Sequence, residues 1–265
     1  MSTPITHIAV IRLSAMGDVA MTVPVIRALV QQNQHVKVTV VSRPFFQPFF
    51  EGIPNVTFFA VDLNGRHKGT MGLFKLYADL KKRNINAVAD LHNVLRSIVI
   101  RNLFALSGKK VAYSDKGRAE KKALTRAQNK IFQPVKSMVE RHVETFKNLG
   151  FDIDLTQPNF PEKVKPSEEV FKVCGEKGNT NWIGIAPFAQ YESKVYPLDL
   201  MQEVIHKLAE NNSNKIFLFG GGKKETEQLH ALSANVDNVI MVAGKLKLQQ
   251  ELQLISNLDV MLSMD

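Results

Sequence analysis

Cysteine is almost absent from this 265-residue chain, in which Cys174 is the only one. A single cysteine excludes an internal disulfide framework and a thiolate metal site, so a reducing cytoplasm suits the composition. No basic segment followed by an apolar stretch opens the chain, and no apolar run reaches the roughly 18 residues that a transmembrane helix needs. We therefore expect a soluble, cytoplasmic protein.

The chain also lacks the motifs of the commonest nucleotide and hydrolase sites. It contains neither G-x-G-x-x-G nor G-x-x-x-x-G-K-[ST], and no G-x-S-x-G. Its 7 histidines include no H-x-x-x-H spacing. Asp152 and Asp154 form a D-x-D pair, but they follow the helix-ending Gly150 near an expected linker, so we interpret the pair as a chance match. The sequence thus predicts no metal site.

Positive charge is in excess, with a formal net charge of +9 that is concentrated between residues 66 and 126. Such a patch is either a solvated basic face or an attractor for an anionic partner: nucleic acid, an anionic membrane surface or a phosphorylated substrate. The segment has few aromatic residues for stacking on bases and no recognition motif, which makes a nucleic-acid-binding module the least favoured partner class.

Apolar runs of strand length alternate with helical patterns along the chain. Strands are expected at residues 7–13, 36–41, 56–61, 87–91 and 110–113, and again at 182–186, 215–219, 239–242 and 260–263. This alternation is typical of α/β folds with doubly wound parallel sheets. A helical pattern lies between the last two strands of each half. Residues 114–134 follow the last strand of the first half and predict a long loop with helical pieces.

A polar stretch with several prolines divides the two halves. It predicts a first domain of residues 1–160, a linker of 161–178 and a second domain of 179–265. Because the last expected strand is not followed by a helix, we expect that the natural polypeptide continues and that the second domain is incomplete here.

The first strand leads into the turn at residues 14–18 and a helical pattern behind it. We expect Gly17 to adopt a positive φ there, and Asp18 either to cap the helix or to lie free in the loop. Pro24 favours the second alternative, since proline suits only a first helical turn; the helix then begins near Met21 or Thr22, with Thr22 as its cap. Asp18 would be a free carboxylate at the carboxyl end of a parallel strand, where ligands of such sheets bind.

Five segments together resemble the ADP-heptose:lipopolysaccharide heptosyltransferases of glycosyltransferase family 9. They are residues 11–19 with Pro24 and Ala28-Leu29 behind them, residues 87–97, residues 141–144, residues 186–189 with 193–197, and residues 258–265. The resemblance implies a GT-B fold, in which two Rossmann-like domains face a cleft, the first binding the acceptor and the second the nucleotide sugar. It implies an inverting, metal-independent transfer of a heptose or related sugar, without a cofactor.

Both the residues and the resemblance assign Asp18 as the general base, at the edge of the acceptor half. Lys194, in the loop after the first strand of the second half, is expected to neutralise the donor diphosphate, with Ser193 beside it. Glycines after the next strand either let the nucleotide approach the backbone or form a plain turn. The expected donor-binding residues are Lys194, Ser193, Gly220, Gly221, Ala243, Gly244 and Asp265.

The basic stretch supplies the expected contacts to an anionic lipopolysaccharide precursor. These acceptor-binding candidates are Gly17, Arg66, Lys68, Arg96, Arg118 and Arg126. Arg12 lies near the site but can equally pair with Asp90, and His92 is either an acceptor contact or a polar residue at a helix entry. We expect an ADP-heptose-like donor, peripheral contact with the inner membrane, a monomer and no nucleic acid. The alternatives are a non-catalytic truncated relative and a nucleic-acid-binding protein.

Overall fold

A computed structural model describes residues 6–158, 160–234 and 236–264. The chain forms two compact units, Met1–Phe160 and Pro161–Asp265. No helix in these described ranges combines the length and the apolar character that crossing a bilayer requires.

The first unit is a parallel five-stranded sheet covered by helices, in the order β3-β2-β1-β4-β5. Its strands are β1 (Thr6–Ile11), β2 (Val36–Ser42), β3 (Val56–Ala60), β4 (Ala87–Asp90) and β5 (Lys110–Tyr113). Its helices are α1 (Met16–Ala20), α2 (Val23–Gln32), α3 (Gly69–Lys81), α4 (Leu95–Leu106), α5 (Arg118–Thr125) and α6 (Met138–Leu149), with a 3₁₀ segment at Pro44–Phe50.

The central strand β1 explains why the sheet is covered on both sides. Ile8 and Val10 pack into the core under α2 and α6, whereas Ala9 and Ile11 pack into the core under α3 and α4. In register, Ile8 lies between Val38 of β2 and Ala87 of β4. A parallel strand buried on both faces reads as a continuous apolar run, which is why the sequence predicted it.

Helix α6 is defined by strong local signals at both ends. The Ser137 hydroxyl accepts a hydrogen bond from the Glu140 amide at 3.2 Å, and the Glu140 carboxylate accepts one from the Ser137 amide at 2.6 Å. Gly150 ends the helix with a φ of 99°. This capping box and left-handed glycine set the two ends of α6, and its buried Phe146 and Leu149 face the core beside β4 and β5.

The second unit repeats the design with a four-stranded parallel sheet in the order β8-β7-β6-β9. The strands are β6 (Asn181–Ala186), β7 (Asn214–Leu218), β8 (Val239–Met241) and β9 (Val260–Ser263). The helices are α7 (Glu168–Cys174), α8 (Leu198–Ala209), α9 (Gly222–Ser233) and α10 (Leu248–Asn257), with a one-turn 3₁₀ segment at Glu192–Lys194.

The expected linker at residues 161–178 is wrong where it includes α7. Val170 and Cys174 of this helix are fully buried and pack with Trp182 and Phe217 in the core of the second unit. The prolines that precede the helix suggested a linker, but an apolar face on seven residues is enough to belong to the core.

Two expectations for the first turn are also wrong. Gly17 does not take a positive φ, because it lies inside the one-turn helix α1 together with Asp18. The second helix does begin beside Pro24, at Val23, but the Thr22 hydroxyl donates to the Val19 carbonyl at 2.7 Å and does not cap it. Asp18 therefore lies on a short helix and not in a loop.

The core of the first unit yields a stability prediction. Phe146 of α6 is fully buried between the helix and the sheet. We expect Phe146→Ala to lower the free energy of unfolding of this unit by about 3–5 kcal/mol, since it removes buried surface and leaves a cavity. The same change at Phe160, which is 77% exposed, should cost less than about 0.5 kcal/mol. Urea denaturation measures both; equal effects would contradict the assigned core.

Candidate active site

The strand order of the first sheet predicts a ligand-binding crevice at its carboxyl edge, beside the central strand. The chain runs from β1 outward to β2 and β3, and then returns to add β4 and β5 on the other side of β1. The loops that follow β1 and β4 therefore leave in different directions, which is where open α/β sheets bind ligands. Asp18 follows β1, and His92 follows β4.

Arg12, at the end of β1, holds Asp18 in place. Its side chain is only 7% exposed, and its Nη2 forms an ion pair with Asp18 Oδ2. Its Nη1 donates to the Leu91 carbonyl at 2.6 Å, and its Nε donates to the Ser14 carbonyl at 2.8 Å. One guanidinium thus joins the end of β1, the end of β4 and helix α1.

Asp18 itself stays accessible, because its side chain is 44% exposed. The Ala15 amide also donates to Oδ2, at 3.4 Å, and no other described residue hydrogen-bonds this side chain. The expectation of a free carboxylate is therefore wrong: Asp18 is paired through Oδ2, with Oδ1 left for another partner. Such an arrangement can accept a proton from a bound hydroxyl group.

Asp90, which the sequence offered as a partner for Arg12, pairs with Arg101 instead. Its buried Oδ2 accepts from Arg101 Nη1 at 3.1 Å, and its Oδ1 accepts from the amides of His92 and Asn93 at 3.0 and 2.7 Å. The Arg101 guanidinium also stacks over Tyr113, 4.1 Å from the ring centroid. Asp90 therefore shapes the turn that presents His92.

His92 supports the segment that leads to Asp18. Its Nδ1 accepts from the Leu13 amide at 3.4 Å, and its Nε2 lies 3.4 Å from the Ser14 hydroxyl. The pKa of His92 is lowered to about 4, chiefly by burial and then by the positive charges of Arg12, Lys116 and Arg43, against the opposing effect of Asp18. The imidazole is therefore neutral at pH 7.

His142 of α6 is a second neutral histidine here, and sequence reasoning missed it. Its side chain is fully buried, and neither ring nitrogen has a hydrogen-bond partner among the described residues. Its pKa is lowered to about 4 by burial first and by the charge of Arg12 second, with Asp18 opposing both. The signal was present in the sequence: His142 shares the helical spacing of Phe146 and Leu149, which places it on the buried face.

Lys116, in the loop after β5, is the other residue that sequence reasoning missed. Burial lowers its pKa, as do Arg118 and Arg12, whereas Asp90 and Asp18 raise it. Arg118, an expected acceptor contact, belongs to the same group of charges, because its charge contributes to lowering the pKa of Lys116. The structure therefore gathers cations around Asp18 from the ends of β1 and β5.

Of the other acceptor candidates, Gly17 is the chain neighbour of Asp18 on α1, whereas Arg66 and Arg126 are engaged elsewhere. Arg66 follows β3, at the outer edge of the sheet, and is bound to Asp79 by hydrogen bonds of 2.7 and 2.8 Å. Arg126 follows α5, where its Nε donates to the Asn129 carbonyl at 2.5 Å. Lys68 and Arg96 are exposed at the starts of α3 and α4, and Gly17 is exposed on α1.

In the second unit, Ser193 and Lys194 form the exposed 3₁₀ turn after β6. Helix α8 begins at Leu198, shortly beyond them, so its N-terminal amides lie on the same loop. Ala243 and Gly244 follow β8 at the same carboxyl edge of this sheet, and Gly244 has a φ of 74°. Asp265 lies outside the described residues.

The glycine turn after β7 is already engaged with its own helix. The Gly221 amide donates to the Glu225 carboxylate at 2.7 Å. At Gly220, a Cβ atom would lie 3.0 Å from Leu229 and 3.3 Å from Phe188, so a larger residue would require these side chains to shift. These contacts favour the plain strand-to-helix turn for Gly220 and leave Gly222, with a φ of 77°, as the residue that requires glycine for its backbone.

The D-x-D pair forms no cluster of ligands. Asp152 is 90% exposed, and the Asp154 carboxylate accepts from the Thr156 amide at 2.8 Å. Across the described ranges, the structure gathers no group of three or more His, Cys, Asp or Glu side chains suited to a metal ion.

Comparison of the sequence with those of known proteins shows which family the chain resembles. Residues 73–265 match the sequence model of glycosyltransferase family 9 (heptosyltransferase). The lipopolysaccharide core heptosyltransferase OpsX of Haemophilus influenzae is 22% identical over 259 residues, which cover 97% of this chain and 73% of that protein.

Solved structures show the same fold. A family 9 glycosyltransferase from Veillonella parvula is 18% identical with a TM-score of 0.75, over 99% of this chain and 77% of that one. The Escherichia coli heptosyltransferase WaaC with ADP-2-deoxy-2-fluoro heptose is 19% identical with a TM-score of 0.72, over 98% of this chain and 83% of that one. The two parallel sheets and their helices thus have the GT-B-type fold that the sequence predicted.

Buried His142 and half-buried His92 give a pH-dependent prediction. The unfolded chain binds a proton at each histidine near pH 6.5, whereas native His92 and His142 bind one only near pH 4. The free energy of unfolding should therefore fall as the pH decreases from about 6.5 to 4, by roughly 3 kcal/mol for His142 alone. His142→Leu should make this dependence shallower in denaturation measurements at several pH values.

NMR titration of labelled imidazoles tests the electrostatic cause directly. Because the Arg12 charge lowers both pKa values, Arg12→Met should raise them. A native imidazole of either residue that titrates above pH 6 would contradict the described environment.

Proposed function

The chain belongs to glycosyltransferase family 9, the heptosyltransferases, and on that premise we propose that it transfers a heptose from an ADP-heptose donor to a lipopolysaccharide core acceptor. It is thus a glycosyltransferase. The donor and acceptor are supported by the relatives, since OpsX is a lipopolysaccharide core heptosyltransferase and WaaC was solved with ADP and with a fluorinated ADP-heptose. The proposed transfer inverts the anomeric centre and uses no metal ion or other cofactor.

The observation that carries the mechanism is the pairing of Asp18 with buried Arg12 at the crevice of the first sheet. Inverting transfer needs a base that removes the proton of the acceptor hydroxyl as that oxygen attacks the sugar from the face opposite the leaving group. Asp18 fits because one oxygen is held while the side chain remains 44% exposed. Neutral His92 supports the preceding backbone without supplying a competing charge.

Lys194 is the proposed partner of the departing diphosphate. As bonds to the anomeric carbon break, negative charge develops on the phosphate oxygens, and an ammonium group stabilises it as a point charge. The loop position of Lys194, shortly before the N-terminus of α8, adds backbone amides that favour an anion. Ser193, Gly220, Gly221, Ala243, Gly244 and Asp265 remain proposed donor contacts.

The acceptor is proposed to bind through its negative charges at the first unit. Lys116 lies in the electrostatic surroundings of Asp18, and Arg118 lies in those of Lys116, so they are the most direct candidates. Arg66, Lys68, Arg96, Arg126 and Gly17 are proposed for more distant parts of the acceptor. We further propose a cytoplasmic monomer that works on the cytoplasmic face of the inner membrane.

Replacing the proposed base tests the role of Asp18. We expect Asp18→Asn to lower kcat by about 10²–10⁴-fold, the usual contribution of a general base. Affinity for ADP, measured by calorimetry, should be unchanged because the side chain acts on the acceptor. Asp152→Asn, a change of the same kind at a 90% exposed site, should leave both quantities unaltered. An Asp18→Asn enzyme with full turnover would exclude the proposed role.

Lys194→Met tests the proposed leaving-group stabilisation. It should weaken ADP binding by about tenfold or more and lower kcat as well, since a charge-assisted hydrogen bond contributes about 1.5–3 kcal/mol. Lys194→Arg should retain part of the ADP affinity and part of the turnover rate. Assays in EDTA should give the wild-type rate, because the proposed mechanism uses Lys194 in place of a metal. A strict requirement for a divalent ion, or unchanged ADP affinity in Lys194→Met, would contradict the assignment.

A further inference from the structure

Residues 116–132, which we call the basic hook, project from the end of β5. They comprise helix α5, none of whose residues is buried, and a return loop beside it. The Ile131 amide donates to the Ala123 carbonyl at 3.0 Å, so the loop folds back along the helix. Arg126 Nε closes the bend on the Asn129 carbonyl at 2.5 Å. The hook is therefore an ordered feature with an exposed helix.

The acidic groups at the root of the hook are used internally. Arg141 of α6 is only 2% exposed, and its Nη2 donates to Glu120 at 2.6 Å while its Nη1 lies 3.5 Å from Asp115. These two carboxylates therefore compensate the buried Arg141 and anchor the hook to the sheet. Both carboxylates thus already have a buried cation as a partner.

The remaining charges of the hook are all positive. These cations are Lys116, Arg118, Lys121, Lys122, Arg126 and Lys130. In the part of the chain that the structure describes, none of the six forms an ion pair with a carboxylate. Such a concentration of unpaired cations attracts an anionic surface through their summed field.

Exposed apolar side chains lie at the end of the hook. Phe132 is 79% exposed and Ile131 is 45% exposed. Exposure of a large aromatic group next to several lysines is typical of segments that insert apolar side chains below lipid headgroups while their ammonium groups remain among the phosphates. A purely solvated basic face has no need of the exposed phenyl ring.

From this juxtaposition we propose that the basic hook docks on a bilayer surface of anionic phospholipids and thereby holds a lipid-borne acceptor at the edge where Asp18 lies. The inference rests on the proposed function for the identity of that acceptor. Lys116 begins the hook and belongs to the charge cluster around Asp18, so the hook and the proposed base are continuous. A bilayer fits better than nucleic acid, because Phe132 is the only aromatic residue in the hook and single strands are bound by stacking on several.

Sedimentation with lipid vesicles tests the docking surface. The full chain should bind vesicles of phosphatidylglycerol and phosphatidylethanolamine, but not of phosphatidylcholine, in about 100 mM salt. Each lysine near an anionic surface contributes roughly fivefold to the partition coefficient. Lys121→Glu, Lys122→Glu and Lys130→Glu combined should therefore reduce it by at least about 100-fold, and Phe132→Ser should reduce it several-fold.

Matched controls use the second unit and the exposed apolar surface. Lys172 and Lys207 are exposed on α7 and α8, and Lys172→Glu with Lys207→Glu should change the partition coefficient far less than reversal in the hook. Phe160→Ser is the control for Phe132→Ser. Circular dichroism of every variant establishes that it is folded. Equal loss in hook and control variants, or no binding of the wild type to anionic vesicles, would overturn the docking surface, as would binding to single-stranded RNA but not to vesicles.

Transfer to a deacylated acceptor separates this proposal from the function on which it rests. Hook variants should retain the wild-type rate on this acceptor, because it requires no membrane, and should lose rate only on acceptor embedded in anionic vesicles. Wild-type transfer without vesicle binding would overturn the hook and leave the function standing. Hook-dependent vesicle binding without any wild-type transfer would support the surface and contradict the function.

Discussion

The buried guanidinium of Arg12 is the constraint on which the first unit's candidate site depends. A cation that is almost removed from water must be compensated by close partners. Arg12 finds them in the carbonyls of Ser14 and Leu91 and in the carboxylate of Asp18. Because these groups come from the segment after β1 and from the turn after β4, satisfying one side chain fixes both connections and the direction of Asp18 together.

The same charge determines the state of its neighbours. Together with burial, it keeps His92 and His142 neutral, so that neither adds a second cation to a crowded edge. Asp90 does not compete with Asp18 for Arg12, because Arg101 and two backbone amides already bind its oxygens. The result is that the accessible carboxylate of Asp18 lies among cations, which suits a base that acts on an anionic acceptor. An ion pair with one buried partner, such as this one, is better evidence for geometry than for stability.

The sheets could be predicted from the sequence because their strands are short apolar runs buried on both faces, as in β1 and β6. The one-turn helix α1 could not, since a single turn is unstable alone and here depends on Arg12. Pro24 correctly indicated where α2 begins but said nothing of the turn before it. His142 and Lys116 were missed because distant parts of the chain bring them beside Asp18. The role of Lys194 remains a prediction that depends on the family resemblance.

Family membership explains why such different segments converge on one edge, but at about one-fifth identity to its relatives the chain must be tested on its own residues. The most direct measurement is a double-mutant cycle on the transfer rate with Arg12→Met, Asp18→Asn and the double variant. If Arg12 acts by holding the base, Arg12→Met should slow the wild type by about tenfold or more yet have little further effect in the Asp18→Asn background. Independent, additive losses from the two substitutions would contradict the account.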